Sequence, residues 1–232
     1  MPTKAKLFIG MTIAAGTLFL VGCLGRPNNF ADLPIYISCF ALAMISSALK
    51  VRVPGITGNI STNFLFVLVA ITRFTLTETV VLASAACLVQ CLWKTKRRPK
   101  AVQVLFNAAV LVLSSGVSYQ LSHWLAGESK ANLSVLLALA ACLYFTINSF
   151  LISGVLSIVD NKPLMQVWQQ CYLWSFPYYL AGAAVAGLLV VSSRNVGWGT
   201  SLLILPVMYL VYVFYSMCVE RLGESAASPR TA

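Results

Sequence analysis

The chain has 232 residues, of which 59% are hydrophobic and only 9% charged. Soluble domains carry about 45–50% apolar and about 25% charged residues, so a globular enzyme domain is excluded and one bilayer-embedded unit fills nearly the whole length. The formal net charge of +10 is read as membrane topology and not as nucleic-acid binding, because Lys and Arg orient membrane helices while Asp and Glu contribute little.

Apolar stretches of about 20 residues between polar breaks divide the chain into eight segments. The first runs from about Leu7 to Leu24 and ends at Arg26-Pro27-Asn28-Asn29. Within it, Leu20-Val21-Gly22-Cys23 matches a lipobox, but an ordinary first membrane helix is the simpler reading because further apolar segments follow. The second, Pro34 to Leu49, is stopped by Lys50 and Arg52. The third, Val53 to Thr72, is half polar, and its apolar part from Phe64 to Ile71 is too short to cross alone. The fourth, Leu76 to Trp93, runs into the basic stretch from Lys94 to Lys100. The fifth covers Val102 to Leu125, the sixth Leu133 to Val159, the seventh Val167 to Val191 and the eighth Leu202 to Val219. The fold expected is therefore all-α: a polytopic transmembrane bundle of about eight spans over residues 1–222, with a half-polar third segment that spans or re-enters. Residues 223–232, rich in Ser and Ala, read as a disordered cytoplasmic tail.

With the N-terminus inside, twelve Lys and Arg residues fall on the cytoplasmic side and four (Arg26, Arg73, Lys130 and Arg194) outside. Eight spans then place both termini in the cytoplasm, and the expected location is a bacterial inner membrane. Lipid headgroups are partners of the basic stretch.

The third segment is the most informative place for a site. Pro54, Gly55 and Gly58 interrupt regular helix, while Asn59, Ser61, Thr62 and Asn63 supply donors and acceptors. Polar irregular backbone at membrane depth must be buried in protein or line a cavity. One reading is a ligand pocket or a re-entrant loop shaping one; the other is a short cytoplasmic loop whose capping residues lead into a partly immersed helix. In the seventh segment Pro177 implies a kink, and the adjacent Tyr178 and Tyr179 either wall the same site or anchor the helix at the interface. The ligand-binding candidates are thus Asn59, Ser61, Thr62, Asn63, Tyr178 and Tyr179.

Other polar residues have simpler roles open to them. Glu78 suits proton or cation coupling, but Thr75-Leu76-Thr77-Glu78 also fits a capping box. Gln90, Gln103, Asn107 and Asn148 are single amides in apolar runs, of the type that bonds one helix to another. Ala181 to Gly187 offers a small-residue face for close packing. Of seven cysteines none forms a CxxC pair; Cys87 and Cys91 share a helix face, and the single histidine, His123, is distant in sequence. No metal site, cofactor or catalytic set is expected.

Three stretches carry a resemblance. Residues 47–66 (Ser-Ala-Leu-Lys-Val-Arg-Val-Pro-Gly-Ile-Thr-Gly-Asn-Ile-Ser-Thr-Asn-Phe-Leu-Phe), 88–107 (from Leu-Val-Gln-Cys-Leu-Trp to Val-Leu-Phe-Asn) and 170–183 (Gln-Cys-Tyr-Leu-Trp-Ser-Phe-Pro-Tyr-Tyr-Leu-Ala-Gly-Ala) resemble the polytopic N-terminal membrane region of acidobacterial GGDEF and HD-GYP cyclic-di-GMP signalling proteins. The resemblance covers about residues 30 to 220. In those proteins the last span leads into a cytoplasmic output domain, whereas this chain stops about ten residues after it. The resemblance therefore implies an input or scaffold module without cyclase or phosphodiesterase activity, and a cytoplasmic signalling partner.

The function expected is a non-catalytic, sensor-like or scaffold module that binds a small ligand or a membrane partner, as a homo-oligomer or within a larger complex. Two alternatives remain from other classes. One is the substrate-binding subunit of a vitamin-type transporter, which the Pro-Gly-rich start of the third segment resembles. The other is an accessory subunit of a larger membrane assembly.

Overall fold

The computed structural model describes residues 2–25, 32–48, 50–52, 59–61, 63–93, 99–129, 132–171 and 175–195. They form eight helices and one small hairpin: α1 (Thr3–Leu24), α2 (Leu33–Ala48), β1 (Lys50–Arg52), β2 (Asn59–Ser61), α3 (Phe64–Arg73), α4 (Leu76–Leu92), α5 (Ala101–Ser129), α6 (Leu133–Asp160), α7 (Leu164–Cys171) and α8 (Phe176–Asn195). The expected eighth segment, the 223–232 tail and most of the basic stretch lie outside the described residues.

The expectation of about eight spans is corrected. An α-helix rises 1.5 Å per residue, so a hydrocarbon core of about 30 Å needs about 20 residues. Among the described residues three helices are long and apolar enough to cross: α1, α5 and α6, of 22, 29 and 28 residues. The apolar helices α2, α3 and α4 are shorter, with 16, 10 and 17 residues. The expected seventh span is two helices, α7 and α8, of which the apolar part of α8 runs Phe176–Ser192. The third segment is no span: its helix α3 has 10 residues, and Asn59–Ser61 pair antiparallel with Lys50–Arg52, with Lys50 facing Ser61, Val51 facing Ile60 and Arg52 facing Asn59.

The apolar half of that segment explains the core. Every residue of α3 from Phe64 to Ile71 is buried. A helix that is apolar all round needs cover on every side, and at 10 residues α3 obtains it from neighbouring helices. Cys39, Leu42 and Ala43 of α2, Leu82 and Ala83 of α4, Leu137, Ala140, Ala141 and Tyr144 of α6, and Tyr178, Ala183, Ala186, Leu189 and Val190 of α8 belong to the same buried cluster.

Around this core the long helices pack through small residues. A Cβ added to Gly16 of α1 would lie 2.6 Å from the Ala109 Cβ of α5, so the two backbones meet at a glycine notch. Gly116 of α5 makes room for the Phe19 ring, and Gly154 of α6 for the Phe8 ring. The Thr77 hydroxyl donates to the Cys23 carbonyl at 3.0 Å, which fixes the start of α4 beside the end of α1. Leu7, Met11, Leu18 and Val21 on the other faces of α1 are exposed, as residues facing lipid are. At the far end of α6, Asn161 adopts the left-handed conformation (φ 52°, ψ 43°) and its N–H donates to the Ser157 carbonyl. Pro163 follows and forbids continuation of the helix.

Candidate functional site

The hairpin returns the chain to the head of α3, where Asn63 occupies the N-cap position. Asn63 makes no side-chain cap bond. Its Nδ2 instead donates to the Gln90 Oε1 of α4 at 3.3 Å, and the residue is buried. A buried amide must find a partner or forfeit its hydration, so this bond ties the head of α3 to the last turns of α4.

The next residue, Phe64, meets both tyrosines of α8. Its ring centroid lies 5.1 Å from that of Tyr178 and 4.6 Å from that of Tyr179. Gly182, one turn further along α8, makes this possible, since the Phe64 ring occupies the space that a Cβ would need. The aromatic contacts continue into α6 and α7. Tyr144 and Phe145 lie 6.2 Å and 5.2 Å from Tyr179, Phe145 lies 5.1 Å from Phe176, and Trp168 stacks on Phe150 at 4.9 Å. Centroid separations of 4.5–7 Å are the favoured range for ring pairs. The Trp168 indole N–H donates to the Ser149 Oγ at 2.9 Å. On the same helix as Ser149, the Asn148 Oδ1 and Ser153 Oγ are buried with no hydrogen-bond partner among the described residues.

Of the six candidate residues, Tyr178 and Tyr179 meet on Phe64, while Asn63, the residue before Phe64, bonds to Gln90 of α4. Asn59 and Ser61 lie on β2, in register with Arg52 and Lys50, and Thr62 lies outside the described residues. Sequence reading missed Phe64 as the ring that joins these elements; Gly182 was legible as part of the close-packing face 181–187, though its partner was not. Gln90 was legible as a bonding amide, though its partner was not.

Other candidates find structural work. Thr75 and Glu78 form the capping box: the Glu78 N–H donates to the Thr75 Oγ1, and the Thr75 N–H and Oγ1–H donate to the Glu78 Oε2, each at 2.8 Å. Glu78 is nonetheless buried, and its carbonyl accepts from the Tyr36 hydroxyl at 3.2 Å. Gln103 caps its own helix, its Oε1 accepting from the Lys100 N–H at 3.0 Å. The His123 ring stacks on Tyr119 at 4.2 Å, with Nδ1 2.9 Å from the Tyr119 carbonyl. No group of three or more His, Cys, Asp or Glu residues that could hold a metal occurs among the described residues.

The MASE9 family model matches residues 8–191, which takes in most of α1, all of α2 to α7 and most of α8. No curated protein and no solved structure matches the chain. MASE-type domains are membrane sensor domains that serve as non-catalytic input modules, and this assignment gives the vitamin-transporter reading no support. The match covers more than half of the chain, and the chain belongs to the MASE9 family.

Proposed function

We propose that this sensory module receives a small polar or aromatic ligand at the junction of α3, α4 and α8, and passes its occupancy to a cytoplasmic signalling partner. The observation that carries the reading is the packing of Tyr178 and Tyr179 on Phe64, next in sequence to Asn63, whose amide bonds to Gln90. The Asn63 and Gln90 amides at the head of α3 and the aromatic rings on Phe64 supply a few polar groups and an apolar wall, the usual make-up of a small-molecule site. The hairpin carrying Asn59 and Ser61 leads into it, with Thr62 next in sequence.

The signalling step follows from differential affinity. A ligand that binds one arrangement of α3 and α8 better than another shifts the population toward it. The Phe64–Tyr179 contact and the Gly182 notch are where such a shift is read, since α8 is held against α3 there. The partner that this suits is a cyclic-di-GMP enzyme, by the resemblance of residues 47–66, 88–107 and 170–183. The location proposed is the bacterial inner membrane, with the basic stretch 94–100 in the cytoplasm by the positive-inside rule.

Native mass spectrometry of the chain released from lipid, followed by denaturation, tests the reading. Wild type is expected to carry a small molecule that Asn63→Leu and Tyr179→Ala lose together. A molecule retained by both folded variants would place the binding elsewhere.

A further inference from the structure

A second feature lies outside this junction. Cys87 and Cys91 stand on successive turns at the end of α4, with their Sγ atoms 3.9 Å apart. Cys87 is fully buried and Cys91 half-buried, so the pair is reached from the Cys91 side. The Asn107 Nδ2 of α5 donates to the Cys91 Sγ at 3.6 Å.

We propose that Cys87 and Cys91 form a two-sulfur binding site for a soft monovalent cation of the Cu(I) class. Distance selects chelation over a disulfide. Two metal–sulfur bonds of about 2.3 Å bridge sulfurs 3.9 Å apart at an angle of about 116°. A small side-chain rotation opens that angle further. A disulfide instead needs an S–S distance of about 2.05 Å and Cβ atoms about 3.5–4.5 Å apart, whereas i, i+4 Cβ atoms on a helix stand about 5–6 Å apart. Oxidation therefore has to distort the last turn of α4, and chelation does not.

The number of ligands selects the ion. Zinc sites use three or four protein ligands, and the described residues hold no group of three or more His, Cys, Asp or Glu. Thiolate pairs favour Cu(I), which is satisfied by two sulfurs. Binding replaces two S–H bonds by two metal–sulfur bonds and releases two protons, taking the site from neutral to a net charge of −1. The Asn107 N–H supports the charged sulfur by hydrogen bonding to it. The sequence also supplies five cations, Lys94, Lys96, Arg97, Arg98 and Lys100, within nine residues of Cys91.

The test is an anaerobic titration of the full reduced chain in lipid nanodiscs with Cu(I), against a chromophoric Cu(I) chelator. Wild type is expected to withdraw one Cu(I) per chain, with two sulfur neighbours in the X-ray absorption spectrum and with Cys87 and Cys91 protected from alkylation in peptide maps. Cys91→Ala, at the half-buried position, is expected to weaken binding at least 100-fold while keeping the helical circular dichroism of wild type. Cys142→Ala is expected to bind as wild type. Undiminished binding by folded Cys91→Ala, protection of other cysteines, a preference for Zn(II), or a Cys87–Cys91 disulfide formed under mild peroxide with no Cu(I) uptake would each overturn the proposal.

Discussion

The Asn63 side chain donates to the Gln90 Oε1 at 3.3 Å, across 27 residues of sequence. It joins the N-cap residue of α3 to the last turns of α4, and the next residue, Phe64, carries the contacts with Tyr178 and Tyr179. One polar contact thus sits at the meeting point of the hairpin, the buried helix α3 and the proposed ligand site.

That bond is measurable as a coupling energy. Interhelical hydrogen bonds in membrane proteins average about 0.6 kcal/mol and reach about 1.7. A double-mutant cycle of Asn63→Ala and Gln90→Ala, read by unfolding in mixed detergent, is expected to return a favourable coupling of about 0.5–1.5 kcal/mol. Strict additivity would show that the two amides do not support one another.

Gly182 is expected to tolerate no side chain. The Phe64 ring fills the position of a Cβ there, and overpacking a filled core costs about 1–3 kcal/mol. Gly182→Ala should lower the thermal midpoint, and Gly182→Val should lower it further. Gly10→Ala is the control, because nothing lies within 4 Å of its added Cβ, and its midpoint should move little or rise.

The capping box sets a ranking. Thr75→Ala removes the acceptor of the Glu78 N–H and is expected to destabilise by about 1 kcal/mol. Thr75→Ser keeps the hydroxyl and should lose least. Glu78→Gln keeps an acceptor for the Thr75 N–H but gives up a negative charge at a helix N-terminus, worth about 0.3–1 kcal/mol, and should fall between them. Equal stabilities for Thr75→Ala and Thr75→Ser would remove the cap from the account.

Orientation is checked at the basic stretch. A reporter fused at Lys96 is expected to read cytoplasmic, because Lys94, Lys96, Arg97, Arg98 and Lys100 resist translocation. Reversal of the signal on neutralising these five residues would support the same cause.

Long apolar runs made α1, α5 and α6 legible to within a few residues, because polar breaks bound each of them on both sides. The capping box was legible because both partners lie within four residues. The third and seventh segments were misread for a physical reason. Apolarity states that a surface avoids water, not whether lipid or protein covers it. Phe64 to Ile71 is covered by protein, so α3 has no need to span. The hairpin rests on pairing Lys50 with Ser61, a relation that no periodicity displays. The proposed site rests partly on residues that the sequence singles out. Asn63, Tyr178 and Tyr179 stood out as polar or aromatic residues in apolar runs, and Gly182 as part of a close-packing face, while Phe64 looks like an ordinary core residue until α3 meets α8.

The central claim, ligand reception at the junction of α3, α4 and α8, is tested most directly by thermal unfolding of the lipid-embedded chain against fractionated small-molecule extracts of bacterial cells. A ligand at about 100 times its Kd adds about 2.7 kcal/mol to the folded state. The account predicts a fraction that raises the midpoint of wild type and of Gly10→Ala, but not of Asn63→Leu or Tyr179→Ala. A fraction that stabilises all four proteins equally would contradict it.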